Sequence, residues 1–139
     1  MYTYNCIIRR VVDGDTIDVD IDLGFGIWLS NERVRLYGID TPESRTSDPV
    51  EKYYGMLATE FVEERLIVGN RYVLRSREFK KVDSFGRILG DIVASDGRTI
   101  IDHLVESHHA VLWNGSNRRL MEEEHKINRE LLVEKGFRP

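Results

Sequence analysis

Apolar Ile17, Val19, Ile21 and Leu23 alternate with Asp18, Asp20 and Asp22, and this strict period of two predicts a strand over 17–23. A first strand is expected over 7–12, joined to it through Asp13-Gly14-Asp15-Thr16. Gly24-Phe25-Gly26 predicts a turn, after which Arg33 to Ile39 resumes the extended pattern. The tip Leu23-Gly24-Phe25-Gly26-Ile27-Trp28 is apolar for a loop. It is expected to fold back onto the body of the protein, the other reading being a substrate or dimer contact. A residue before proline is driven away from helical geometry, so Asp40-Thr41-Pro42-Glu43 is expected at a strand end or in a loop.

Periodicity then changes to helical. Asp48 suits an N-cap, Pro49 the first helical position, and Glu51 completes a capping-box pattern. Tyr54, Leu57, Ala58 and Phe61 follow at helical spacing, with Gly69-Asn70 as the stop. Strands are expected over 71–79 and 86–94, connected by Asp83-Ser84-Phe85-Gly86. Thr99 can cap a short helix to about Ser107, Ala110 to Trp113 suggests a brief strand, and 117–134 reads as a last amphipathic helix stopped by Gly136. Five strands with three helices, joined mostly by short turns, favour an α+β fold built on a small, mainly antiparallel barrel.

Composition alters this picture little. The 139 residues suit one domain over 1–139, and 41% hydrophobic content is enough for a core without disulfides. Cys6, the lone cysteine, reads as a small buried hydrophobe. No apolar run reaches the ~18 residues of a membrane span, so no membrane partner is expected. The start of the chain lacks a leader pattern, which favours a cytoplasmic location and leaves a mature secreted form open. A net charge of −4 argues against nucleic-acid affinity built on bulk charge, but not against a focused cationic site.

Three segments carry candidate chemistry. In Asp13-Gly14-Asp15-Thr16, Gly14 permits a tight turn that brings two carboxylates together, either as hard-cation ligands or as a solvated turn. Arg35, Asp40, Thr41 and Glu43 combine a phosphate fork, a metal carboxylate, a backbone carbonyl and a second acid able to act as a base, the other reading being that Arg35 and Asp40 merely pair across a barrel end. Asp83-Ser84-Phe85-Gly86-Arg87 presents a second arginine at the start of a strand. Asp18, Asp20 and Asp22 read as a solvated barrel exterior rather than a second metal site. His103, His108, His109 and His125 lack metal-ligand spacing and read as surface or packing residues.

Val12-Asp13-Gly14-Asp15-Thr16, Arg35-Leu36-Tyr37-Gly38-Ile39-Asp40-Thr41-Pro42-Glu43 and Asp83-Ser84-Phe85-Gly86-Arg87 resemble the three signature blocks of the staphylococcal nuclease (thermonuclease) family, in the family's order. Helical Glu51-Lys52-Tyr53-Tyr54-Gly55 stands between the second and third, and the resemblance runs over roughly residues 7–113. It implies a five-stranded OB-fold barrel with three helices. It also implies a calcium-dependent endonuclease acting on DNA and RNA, with single-stranded or unstructured substrate preferred, 3′-phosphate ends as products, and a monomeric state. By the same resemblance, Asp15 and Asp40 are the metal carboxylates, Thr41 lends its carbonyl, and Asp13 is an outer acid. Glu43 is the general base, and Arg35 and Arg87 bind phosphate. Phe85 and Trp113 would contact the nucleotide. Ser84-Phe85 replaces the Lys-Tyr pair common in nuclease-active members, and Trp113 stands where a tyrosine is usual. The reading of a different class is a non-catalytic nucleic-acid-binding module on the same fold; the full set of acids and arginines favours the enzyme.

Overall fold

A computed structural model describes residues 2–76, 86–113, 115 and 117–139. The strands are β1 (Tyr2–Asp13), β2 (Thr16–Asp22), β3 (Trp28–Leu36), β4 (Ile39–Asp40), β5 (Arg71–Ser76), β6 (Ile88–Val93) and β7 (Val111–Leu112). The helices are α1 (Pro49–Arg65), α2 (Ile100–Glu106) and α3 (Arg118–Glu134). Five strands close a barrel in the order β1-β2-β3-β6-β5, and β4 with β7 forms a separate two-stranded pair. All barrel pairings are antiparallel except β3 with β6. The architecture is thus α+β, a mixed five-stranded barrel with three helices of the OB-like kind.

The alternation in β2 works as expected at Ile17, Val19 and Ile21, which point inward with Cys6, Ile8, Val34, Leu36, Leu74 and Ile92 and are essentially inaccessible. Burial raises the Cys6 thiol to about 11, so it packs as an inert hydrophobe. The first strand is longer than its apolar stretch suggests, because Tyr2 to Tyr4 pair with β5 and Asn5 to Ile7 pair with both β5 and β2.

Three expectations need correction. The strand expected to run on to Ile39 breaks after Leu36, where Gly38 takes a φ of +76° and redirects the chain into β4. Asp18 is not solvated: it is buried, and Arg33 grips both its oxygens from the neighbouring strand at 2.9 and 3.2 Å. The apolar tip does not fold back. Gly24, Phe25 and Gly26 all adopt positive φ, Leu23 and Ile27 close the turn, and Phe25 projects fully exposed with Leu23 and Ile27 beside it.

Helix α1 starts as the sequence suggests, with the Asp48 carboxylate accepting the N–H groups of Val50 and Glu51 ahead of Pro49. Glu51 leaves the reciprocal half of the box unmade. Its carboxylate faces the Glu43 N–H at 3.5 Å, while the Asp48 N–H goes to Thr46 Oγ1. Thr99 caps α2 through the Asp102 N–H, and Asn117 caps α3 through the Leu120 N–H. The 77–79 end of the strand expected over 71–79 and the Asp83-Ser84-Phe85 connection lie outside the described residues. Among the described residues, no helix is long and apolar enough to cross a membrane.

His109 sits buried against Phe61, with ring centroids 4.5 Å apart, and near the edge of Phe137. Burial, then the charges of Lys135 and Arg65, lowers its pKa to about 4. Unfolding releases it to an ordinary ~6.5. The unfolded chain therefore binds the extra proton between those values, and stability present above pH 6.5 is lost as pH falls toward 4. At pH 4.5 we expect a loss of about 2–3 kcal/mol relative to pH 7 from this residue. Denaturant unfolding at both pH values checks it: His109→Phe should shrink the acid loss, and an equal loss in variant and wild type would clear His109.

Candidate active site

The residues singled out in two distant segments meet because the Asp13–Asp15 turn lies against the end of β3, which carries Arg35, and the turn from there into β4, which carries Asp40. Thr16 is the register partner of Arg35, and the Leu36 N–H donates to the Asp15 carbonyl at 2.8 Å. Beneath them, α1 is a floor with almost no clearance. A Cβ on Gly14 would stand 2.8 Å from Ala58 Cβ, and one on Gly55 would stand 2.5 Å from the carbonyl of Glu43. Small residues at Gly14, Gly55 and Ala58 thus let two loops descend onto one helix.

The result is a cleft of about 240 Å³ whose lining includes Asp13, Asp15, Asp40, Glu43, Arg35 and Arg87, along with Thr41. Arg35 is half-buried. It donates from Nη1 to the Leu36 carbonyl at 2.8 Å and from Nη2 to the Ile39 carbonyl at 2.9 Å. The same Nη2 lies 3.4 Å from Asp15 Oδ2 and 3.8 Å from Asp40 Oδ1. Two carboxylates therefore converge on one guanidinium nitrogen. Asp15 is further held by the Thr16 hydroxyl on Oδ1 at 3.0 Å, and the buried Thr41 presents its N–H to Oδ2 at 3.4 Å. Ser44 donates to Asp13.

Glu43 is exposed at the rim. Partial burial of its carboxyl comes first, then the charges of Asp15, Asp40, Asp13 and Glu51, and together they hold it above the usual carboxylate range. Four carboxylates face two guanidiniums, so the cleft is short of positive charge. Among the described residues, no group of three or more His, Cys, Asp or Glu side chains is arranged to hold a metal. The donor set that remains is the converging carboxylates of Asp15 and Asp40, with Thr41 lining the same cleft. Hard divalent cations bound partly by substrate phosphate and water use such a set, so the residues fit one.

Trp113 stands apart from this ring of charges. It is 54% exposed rather than packed in the core, and its backbone N–H donates to the Gly38 carbonyl at 2.8 Å. Phe85 lies outside the described residues. One further contact escaped the sequence reading: His125, on α3, places Nε2 2.9 Å from Asp40 Oδ2. The available signal was positional. His125 is four residues beyond Met121 and seven before Leu132, the two buried residues of α3, so a polar side chain occupies the apolar face of the helix.

Comparison with known proteins accords with this geometry. The chain is 36% identical over 91 residues to the thermonuclease of Staphylococcus intermedius, covering 65% of this chain and 49% of that protein. It is 36% identical over 88 residues to the thermonuclease of Staphylococcus hyicus, covering 63% and 46%. It is 28% identical over 112 residues to endonuclease YhcR of Bacillus subtilis, covering 77% of this chain but 9% of that protein. The chain thus spans about half the length of the two thermonucleases. The family described as staphylococcal nuclease homologue matches residues 33–136, which takes in Arg35, Asp40, Glu43, Arg87 and His125 and begins after the Asp15 turn. With three-quarters of its length matched, the chain belongs to the staphylococcal nuclease homologue family.

Proposed function

We propose that this chain is a calcium-dependent nuclease that hydrolyses phosphodiester bonds of DNA and RNA and leaves 3′-phosphate ends. The observation that carries the reading is the cleft itself, where Asp15 and Asp40 converge beside Arg35 with Glu43 and Arg87 on the same walls. Asp15, Asp40 and the Thr41 carbonyl would hold the calcium. When bound, it supplies Lewis-acid stabilisation of charge on a phosphoryl oxygen.

The chain's own groups divide the remaining work. Arg35 and Arg87 hold phosphoryl oxygens through charge-assisted hydrogen bonds aimed at the developing negative charge. Glu43, raised above the ordinary carboxylate range, is suited to orient a water and accept its proton as oxygen adds to phosphorus. The bond from phosphorus to the 5′ oxygen breaks, and the leaving oxygen takes a proton from solvent. Arg87 is not that donor: a guanidinium in a protein keeps its protons and serves by charge and directed hydrogen bonds. Trp113, exposed and aromatic, offers a face on which a base can stack, worth ~1–3 kcal/mol.

Incubation of the purified protein with single-stranded DNA and calcium tests the reading. Cleavage should stop with a chelator, and alkaline phosphatase should release phosphate from the product ends. Glu43→Gln should lower turnover by about 10²–10⁴-fold while DNA binding persists. Retained DNA binding by wild type with no cleavage at any calcium concentration would instead make the chain a binding module.

A further inference from the structure

We propose that His125 is a positioning residue for the Asp40 carboxylate, and through it for the divalent cation; the inference rests on the metal-dependent reading above. An ionised carboxylate only accepts hydrogen bonds, so the 2.9 Å contact is a donation from His125 Nε2–H to Asp40 Oδ2. The other oxygen, Oδ1, is the one that faces Arg35 across the cleft. The two oxygens of Asp40 thus have separate duties, one anchored and one presented. Asp15 is restrained from close by, through Thr16 and Thr41. Asp40 receives its restraint from a helix 85 residues further along the chain.

The placement of His125 is built, not incidental. Asn128, three residues on and on the same side of α3, donates from Nδ2 to the Ala110 carbonyl at 3.2 Å. Ala110 immediately precedes β7, whose Val111 is the register partner of Asp40. One helix face therefore holds the residue before β7 through Asn128 and reaches β4 through His125, which sets where the imidazole stands over Asp40. The side chains of His125 and Asp40 are only 13% and 23% exposed, so the contact is sheltered from competing water. A carboxylate held through its outer oxygen enters the coordination sphere without first losing rotational freedom. Removing such outer partners typically costs 10–100-fold in metal affinity.

Calcium titration calorimetry on wild type, His125→Ala and His125→Gln, each with a melting curve, tests this. Glutamine Nε2 can reach the place of imidazole Nε2, so it restores the donor without the ring. We expect His125→Ala to weaken calcium binding about 10–100-fold and His125→Gln to recover most of it. In DNA cleavage, the calcium concentration for half-maximal rate should rise in parallel for His125→Ala, with kcat at saturating calcium largely kept. Unchanged calcium affinity in His125→Ala overturns the proposal, as does equal weakening in both variants when both melt like wild type. A wild-type protein that binds no calcium overturns the metal reading as well, whereas wild-type binding with an unaffected His125→Ala removes His125 alone.

Discussion

Replacing Arg35 by lysine should lower kcat for single-stranded DNA by at least about 100-fold, the scale of losing a preorganised donor to developing charge. The reason goes beyond the phosphate fork. Two of the five N–H donors of Arg35 are committed to the Leu36 and Ile39 carbonyls, and its Nη2 also sits between Asp15 and Asp40. Arg35 therefore braces the turn that carries Asp40 and still has donors left for a phosphoryl oxygen. A lysine ammonium is one point with three protons. It cannot span two carbonyls and face two carboxylates while reaching a phosphate. Arg87→Lys should also cost most of the activity but leave the β3–β4 turn intact. Steady-state cleavage with circular dichroism as a fold control separates the two. Near-normal turnover in either folded variant would remove that arginine from the mechanism.

Much of the frame was legible because local signals and global packing agree. The Ile17-Val19-Ile21 alternation, the Asp48-Pro49 start and the Thr99 cap each state an element and its face in a few residues, and each has that role in the fold. The cleft was legible for another reason: its acids and arginines cluster in short segments whose turn residues announce loops. What stayed hidden depends on neighbours distant in sequence. Whether Asp18 meets water depends on Arg33 across the strand pair, and no pattern within β2 reports that. The apolar tip at Phe25 looks like a segment in need of cover, yet cover requires an opposing surface that local sequence does not specify. The sequence reads His125 only as a surface or packing residue because its partner lies in β4, which β7 pairs with far along the chain.

Gly55 offers the sharpest test of how the cleft is supported, because two principles predict opposite results there. By helix propensity, Gly55→Ala in the interior of α1 should stabilise the protein by about 0.5–1 kcal/mol. By packing, the new methyl would stand 2.5 Å from the Glu43 carbonyl carbon and oxygen and 2.6 Å from the Ser44 nitrogen, all backbone atoms that no rotamer change can move aside. Overpacking of this kind costs about 1–3 kcal/mol, so the collision outweighs the propensity gain unless the loop lifts. If the loop lifts, Glu43 leaves its place at the rim, and a displacement of about 1 Å in a catalytic group can cost 10²-fold in rate. We therefore expect Gly55→Ala to lower kcat by ten-fold or more, with a melting temperature no higher than wild type. Calcium affinity should change less than kcat, because the collision falls on Glu43 and Ser44, beyond Thr41, while Asp15 and Asp40 are held by Thr16, Arg35 and His125. A variant that melts higher and cleaves normally would mean that the helix does not set the height of the Glu43 loop, and that the carboxylate finds its position by other means.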